Sequence, residues 1–390
     1  MKPANSLMSG LGTTVFEVMS GLARQYQSVN LGQGFPDDKG PEEVRQAAAE
    51  FLLNGHNQYP PMMGIPELRQ AVADHAKRFQ GLEVDWQSEV LVTSGATEAL
   101  ADCLFGLIEP GDEVVLIEPL YDSYLPIVRR AGGIPKLVRL EPPRWSLPRE
   151  ELAKAFSSKT KLILFNTPMN PCSKVFDRDE LDFIADLCLK HDAIAVCDEV
   201  YEHIIFDDRR HVSIMTLPNM RERSVRIGSA GKSFSLTGWK VGYVTAAPEL
   251  MKPIAKTHQF MTFTTPPNLQ WGTATGLRLG DGYFDTLAAD MARKRDRLAN
   301  ALAVIGFEVL PAHGTYFVST DFRPLGFNGT DEDFCRHITV EAGVTAVPVS
   351  AFYDDPAKAP RHFARFCFCK HDQTLDAAIE RLAKHFERRA

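Results

Sequence analysis

SVRIGSAGKSFSLTGWKVGYVTA, residues 224 to 246, reads as an apolar strand, a turn of small residues holding Lys232, and a second apolar strand. Upstream, EVLVTS, EVVLIE, KLILFN and AIAVCDE repeat the short apolar run, so the pattern extends from about residue 86 to 246. The intervening stretches are amphipathic. Between Glu180 and Lys190, for example, Leu181, Ile184, Ala185, Leu187 and Cys188 fall at helical spacing. Apolar runs alternating with helical patterns predict an α/β unit with a mostly parallel central sheet, its strands buried on both faces.

The flanks read differently. After about residue 283 come a long charged helix (ARKRDRLANALAVIG), a strand pair around FEVL and TYFVSTD, and a final helix. That last helix carries Leu375, Ala378, Ile379, Leu382 and Phe386 on one face, so it docks. Before about residue 45, LGQGFPDDKGP predicts an arm and loop that pack on something larger. A chain of 390 residues exceeds the usual single core, which favours two units sharing a cleft. The expected division is residues 1–45 as arm and part of a smaller α+β domain, 46–282 as the large domain, and 283–390 as the rest of the small one.

Composition excludes several function classes. A net charge of -7 provides no basic stripe for nucleic acid. No run approaches the roughly 20 apolar residues of a membrane span, and the N-terminus lacks the apolar core of a secretory signal. Seven cysteines without a C-x-x-C pair fit a reduced, cytoplasmic protein. Cys367 and Cys369 share a face of one strand and read as packing rather than a metal pair, so no metal is expected.

The chemistry gathers at strand ends. Asp198 ends an apolar strand, where a carboxylate is costly to bury unless it faces a cation. VTSGATEAL, residues 92 to 100, runs from a strand through a Gly turn into a helix, which aims the amides of Gly95, Ala96 and Thr97 at one point suited to a phosphate. Ser229 and Lys240 flank Lys232 and add a hydroxyl and a charge. Tyr121 in EPLYDSY follows another strand, where an open α/β sheet places ligands and where a ring can stack on a pyridine. NTPMNP, residues 166 to 171, stiffens a loop presenting Asn170. A lysine amine, an acid, an anion cradle and a stacking ring are together what pyridoxal 5'-phosphate (PLP) requires of a protein. Lys232 would bind the cofactor covalently, Asp198 would keep its ring nitrogen protonated, and Tyr201 would reach its ring hydroxyl.

A competing reading takes GKS as the end of a phosphate-binding P-loop. That pattern needs Gly at position 226, where this chain has Arg226, and the acidic strand precedes the GKS rather than following it.

TSGATEAL, NTPMNP, CDEVYE, GSAGKSFSLTGWKVGY and RFCFCK, in this order, resemble the class I/II aminotransferases of PLP fold type I. GTTVFEVMSGLA and NLGQGFPD are similar to the branch holding methionine aminotransferases, glutamine transaminase K and kynurenine aminotransferases. The resemblance implies an aminotransferase that passes an amino group from an amino acid to a 2-oxo acid by a ping-pong route. It implies that Gly34, Asn170 and Arg365 bind the substrate α-carboxylate, that Phe16 and Phe263 line the side-chain pocket, and that Tyr59 reaches the cofactor phosphate of the other subunit in a homodimer. Cys172 and Ser173 depart from the family pattern, which has Gly at the second position, and put that loop's turn in question. Thr97 and Thr264 replace an aromatic and a His of kynurenine-type relatives, which tilts the expected donor toward methionine, glutamine or other apolar or aromatic side chains. The same residues would serve a carbon–sulfur β-lyase. A PLP-sensing regulator is the non-enzyme alternative, and it would need a DNA-binding segment ahead of LGQGFPD that the short leading stretch does not accommodate.

Overall fold

The computed structural model describes residues 1–387. Its central element is a seven-stranded sheet of β1 (Val90–Thr93), β2 (Glu113–Glu118), β3 (Ile134–Arg139), β4 (Thr160–Asn166), β5 (Ile194–Asp198), β6 (Ser224–Ser229) and β7 (Gly242–Ala246). The spatial order is β1-β7-β6-β5-β4-β2-β3. Pairs β2/β3, β2/β4, β4/β5 and β5/β6 are parallel, whereas β7 runs antiparallel to both β6 and β1. The runs of Val, Ile and Leu in β1, β2, β4, β5 and β6 are buried almost throughout, as a sheet covered on both faces demands.

Six helices matter for the site: α1 (Val15–Gln25), α2 (Ala96–Leu107), α3 (Arg178–His191), α4 (Pro248–Met261), α5 (Asp281–Ile305) and α6 (Asp372–Glu387). Helix α3 starts at a reciprocal cap in which the Asp177 carboxylate accepts from the Glu180 N–H and the Glu180 side chain accepts from the Asp177 N–H. The anticipated face of Leu181, Ile184, Ala185, Leu187 and Cys188 is buried. Helix α5 begins at Asp281, well before the charged run that announced it. The N-terminal arm also contains more structure than its Gly and Pro content suggests. Thr14 caps α1 by accepting from the Glu17 N–H, and Met19 and Ala23 are buried beneath it.

A second, four-stranded antiparallel sheet consists of β8 (Glu308–Val309), β9 (Phe317–Asp321), β10 (Val347–Pro348) and β11 (Phe363–Cys367), ordered β10-β11-β9-β8. Val29–Asn30 pairs in parallel with Val344–Thr345 and ties the arm to this unit. Helix α6 docks through Leu375, Ala378, Leu382 and Phe386, with Ile379 half-buried beside them. Burying each large apolar side chain here stabilises the docking by about 1.5–3 kcal/mol. One contiguous core runs from Met19 and Leu31 through Val114 and Leu162 to Leu298, Phe366 and Phe386. The site-bearing strand ends are therefore held by a core common to both sheets. Among the described residues, no helix is long and apolar enough to cross a membrane.

Candidate active site

The carboxyl ends of β1, β2, β4, β5 and β6 open on a cavity of about 360 Å³. Of the residues singled out in the sequence for the cofactor and substrate site, Phe16, Gly34, Gly95, Ala96, Thr97, Tyr121, Asn170, Asp198, Tyr201, Ser229, Lys232, Lys240 and Arg365 border it, whereas Tyr59, Phe263 and Thr264 do not.

Sheet register places Asn166 directly beside Asp198. The Asp198 carboxylate is buried and accepts from the Tyr124 hydroxyl at 2.6 Å and the Val200 N–H at 3.3 Å. Burial pushes its pKa up, against the lowering effect of these two bonds and of the Lys232 charge. Its protein partners thus leave the carboxylate short of compensation, as expected of an acid awaiting a cationic ligand.

Lys232 lies in the single helical turn Ala230–Ser233 after β6. Its Nζ donates to the Tyr316 hydroxyl at 2.9 Å and stands 5.5 Å above the rings of Tyr201 and Tyr316. The Tyr316 hydroxyl in turn donates to the Gly34 carbonyl at 2.7 Å. Desolvation lowers the Lys232 pKa, with Cys369, Asp198 and Cys367 opposing and Lys240 assisting. A lysine so placed is a readier neutral nucleophile and base at physiological pH than an exposed one. Arg226, which occupies the position a P-loop would give to Gly, is buried and paired with Glu199 and Glu202.

Gly95, at φ +81°, caps α2, and a Cβ built there would come within 3.1 Å of the Lys240 Nζ. The first-turn amides of a helix have no intrahelical acceptor. An ammonium and a helix N-terminus converge here, an arrangement that suits an anion of phosphate type.

Arg365 is wholly buried in β11. It donates to Asn170 Oδ1 at 2.7 Å and to the Gly32 carbonyl at 2.6 Å, and its guanidinium lies 3.9 Å above the Phe317 ring. Nε has no partner, and among the described residues no carboxylate forms an ion pair with Arg365. Burial lowers its pKa to about 10. Asn170 is itself held by its N–H donating to Asn166 Oδ1 at 2.8 Å. Ser173 takes the left-handed conformation, φ +58°, that Gly would adopt freely, and its hydroxyl secures the turn by donating to the Phe317 carbonyl at 2.6 Å. The loop therefore keeps its turn without glycine.

Phe263 departs from expectation. It does not border this chain's cavity, because the left-handed backbone at φ +71° turns it outward against Tyr59, ring centroids 5.5 Å apart. Cys367 and Cys369 are buried with their sulfurs 3.1 Å apart beneath the pocket. Sequence reading passed over Tyr124, Asn166 and Tyr316. The first two stand inside the quoted EPLYDSY and NTPMNP, whereas Tyr316 sits in a run that signalled only a strand.

The family model "Aminotransferase class I and II" matches residues 26–382. The chain belongs to that family. It is 40% identical over 377 residues to the methionine aminotransferase of Escherichia coli (strain K12), covering 97% of each chain. It is 42% identical over 387 residues to a probable N-succinyldiaminopimelate aminotransferase of Mycobacterium tuberculosis, again covering 97% of each. A crystal structure from Escherichia coli, described as identifying a methionine aminotransferase function, superposes with a TM-score of 0.95 at 40% identity, covering 98% of this chain and 100% of that one. This aminotransferase accordingly has the PLP fold type I architecture and uses PLP to pass an amino group from an amino acid to a 2-oxo acid. The undercompensated Asp198, the cationic cradle at Gly95 and the partly buried Lys232 fit that cofactor. A carbon–sulfur β-lyase is not favoured by relatives named as aminotransferases.

Proposed function

We propose that this aminotransferase acts on amino donors with uncharged side chains, methionine and glutamine foremost. The observation that carries this reading is the charge of the lining. Among the described residues bordering the cavity the cations are Lys232, Lys240 and Arg365, and none remains for a side-chain carboxylate once cofactor and α-carboxylate are bound. Asp122 also borders the cavity, with Phe16, Thr14 and Gln33, and like-charge juxtaposition costs several kcal/mol. A second acidic group on the donor has no counterion and one repulsive neighbour.

In this reading the amides of Gly95, Ala96 and Thr97, the Ser229 hydroxyl and the Lys240 ammonium would hold the phosphate of PLP. Tyr121 would stack on its ring, Asp198 would keep the ring nitrogen protonated, and Tyr201 and Asn170 would meet the ring hydroxyl. Bound PLP supplies an electron sink for the charge left when the substrate Cα loses its proton. Arg365 grips the α-carboxylate as a planar fork, with Asn170 and the Gly34 backbone beside it. Lys232 Nζ would hold the cofactor covalently and, as a neutral amine once an amino-acid substrate takes its place, would be the base that accepts and returns the substrate Cα proton. The two half-reactions alternate in one site, which is the ping-pong order. Residues 46–282 are assigned to the cofactor-holding domain and 1–45 with 283–387 to the smaller one; the expected end of that domain at residue 390 lies outside the described residues.

Single-turnover conversion of the cofactor to its amine form should be at least about tenfold more efficient with methionine or glutamine than with glutamate or N-succinyldiaminopimelate, given an energetic gap above 1.4 kcal/mol. Faster turnover of either acidic donor would sink the proposal, and release of pyruvate and thiol from a cysteine conjugate at a comparable rate would favour the lyase.

The aminotransferase is also proposed to be a homodimer. Tyr59 and Phe260 are each 82% exposed, and Met261 and Phe263 continue the apolar surface around them. Such a patch on a soluble chain marks an interface, and Tyr59 on it would complete the partner's phosphate site. Sedimentation equilibrium should return about twice the 43.4 kDa chain mass, and a monomer at micromolar concentration would refute this. Seven buried, unpaired cysteines support a cytoplasmic location, which fractionation of cells expressing the tagged chain checks.

A further inference from the structure

Behind the cradle, helices α2 and α4 meet at a charged cluster that the amino-group transfer does not use. His258, on α4, is fully buried. Its Nε2 lies 3.1 Å from the Met62 carbonyl, which can only accept, so Nε2 carries a hydrogen. Its Nδ1 lies 2.9 Å from Glu98 Oε1 and 3.6 Å from Asp102 Oδ2. A lone pair on Nδ1 would face two carboxylates, so Nδ1 carries a hydrogen as well and the ring is an imidazolium. Neither oxygen of the buried Asp102 has a hydrogen-bond partner, which leaves His258 to offset its charge. Burial alone would lower the His258 pKa, but the neighbouring carboxylates of Asp102 and Glu98 outweigh it and raise the value to about 9.

Glu98 has a second contact. Its Oε2 accepts the backbone N–H of Ser94, the residue before Gly95. A single connected path therefore runs from the Met62 carbonyl through His258 and Glu98 to Ser94, at the start of the cradle. Met62 lies three residues beyond Tyr59, and the adjacent Met63 carbonyl accepts the Val92 N–H at 3.0 Å.

We propose that His258 is a positioning residue whose imidazolium, held by Glu98 and Asp102, fixes the Ser94–Thr97 turn against the Tyr59 loop and so sets how tightly the phosphate of PLP is held. This rests on the reading of Gly95 to Thr97 as the phosphate cradle. A buried ion cluster is weak evidence for stability, since an apolar pair would pack there as well. Its orientation toward one functional turn is what gives it a role. Supporting groups of this kind change affinity by about 10–100-fold when removed.

The experiment is equilibrium binding of PLP to the apoprotein, followed by absorbance, with the apoprotein melting temperature measured in parallel. Because H258Q alone strands the Asp102 carboxylate, the double variant H258Q/D102N accompanies it. Expected is a PLP Kd at least about tenfold higher in both variants and in E98Q. The groups facing His258 are Glu98 and Asp102, with Cys103 beside Asp102. With a raised folded pKa, the contribution of the imidazolium is complete below the ordinary histidine range and lost as pH rises through about 9. PLP release from the wild type should accelerate across that range, and the difference should vanish in H258Q/D102N, whereas any titration of the Lys232–PLP linkage is common to both.

An unchanged Kd and pH profile in the double variant overturns the proposal, as does a fall in melting temperature with no change in Kd. A stoichiometric metal in the purified protein whose chelation reproduces the H258Q effect also overturns it, in favour of a metal site at this cluster. Gly95→Ala separates the two readings. If it leaves PLP binding intact, the cradle assignment fails; if it weakens binding while H258Q/D102N does not, only the role of His258 fails.

Discussion

Replacing Lys232 by Ala should lower kcat by at least about 10⁴-fold while leaving the apoprotein as stable as the wild type or more so. The loss follows from two duties that meet at one atom. Nζ is the group proposed to bind the cofactor covalently and the base that moves the Cα proton, and a positioned proton-transfer group alone contributes about 10²–10⁴-fold. The stability follows from linkage. Burial lowers the folded-state pKa of Lys232, so below its unfolded value the unfolded chain binds the extra proton more readily and the charged lysine opposes folding. That penalty is present at neutral pH and fades as pH rises toward the unfolded lysine pKa. Removing the amine removes it, and the hydrogen bond that is lost ends on Tyr316, whose hydroxyl keeps the Gly34 carbonyl. Borohydride reduction and peptide mapping should find the pyridoxyl group on the Lys232 peptide of the wild type and nowhere in the variant. A label on another lysine, or a variant within 100-fold of wild-type activity, would remove Lys232 from this role.

Strand-end chemistry was legible because an α/β sheet exposes functional groups at the carboxyl ends of otherwise apolar runs, and a polar residue closing such a run is conspicuous. Asp198 after AIAVC, Asn170 in its proline-stiffened loop and Lys232 after SVRIGS all stood out in this way. Direction and partnership were not encoded at that level. Both faces of β7 are buried, and periodicity of a buried run carries no sign of whether it lies parallel or antiparallel. Tyr316 touches Lys232 across 84 positions, and in its own neighbourhood an apolar run with a tyrosine predicts a packed strand and nothing more. Tyr124 and Asn166 stand inside conspicuous motifs, but their shared partner Asp198 is brought to them only by the fold, to Tyr124 at the start of a helix and to Asn166 across neighbouring strand ends. His258 shows the same limit from the other side. One histidine on an amphipathic helix reads as core until the carboxylates of α2 are placed against it.

Asp198→Asn should lower kcat/KM by about 10²–10³-fold and change the pH dependence of the apoprotein in a direction that tells charge from shape. Asparagine keeps the volume, can still bond the Tyr124 hydroxyl and can accept the Val200 N–H, so what it removes is the negative charge. That charge is proposed to pair with the protonated ring nitrogen, and breaking one side of a buried ion pair costs about 3–5 kcal/mol. In the apoprotein the cation is missing and the sign reverses. Burial raises the Asp198 pKa, so its contribution to stability is complete while the carboxyl is protonated, below the unfolded aspartate value of about 4, and is lost as pH rises through the raised folded value. The wild-type apoprotein should therefore lose stability over that rise, the variant should lose less, and PLP should restore the wild type far more than the variant. Melting temperatures of both apoproteins and holoproteins, followed as pH rises from about 4, carry the test. Equal pH profiles, or a variant within tenfold of wild-type kcat/KM, would mean that the carboxylate is not what keeps the ring nitrogen charged.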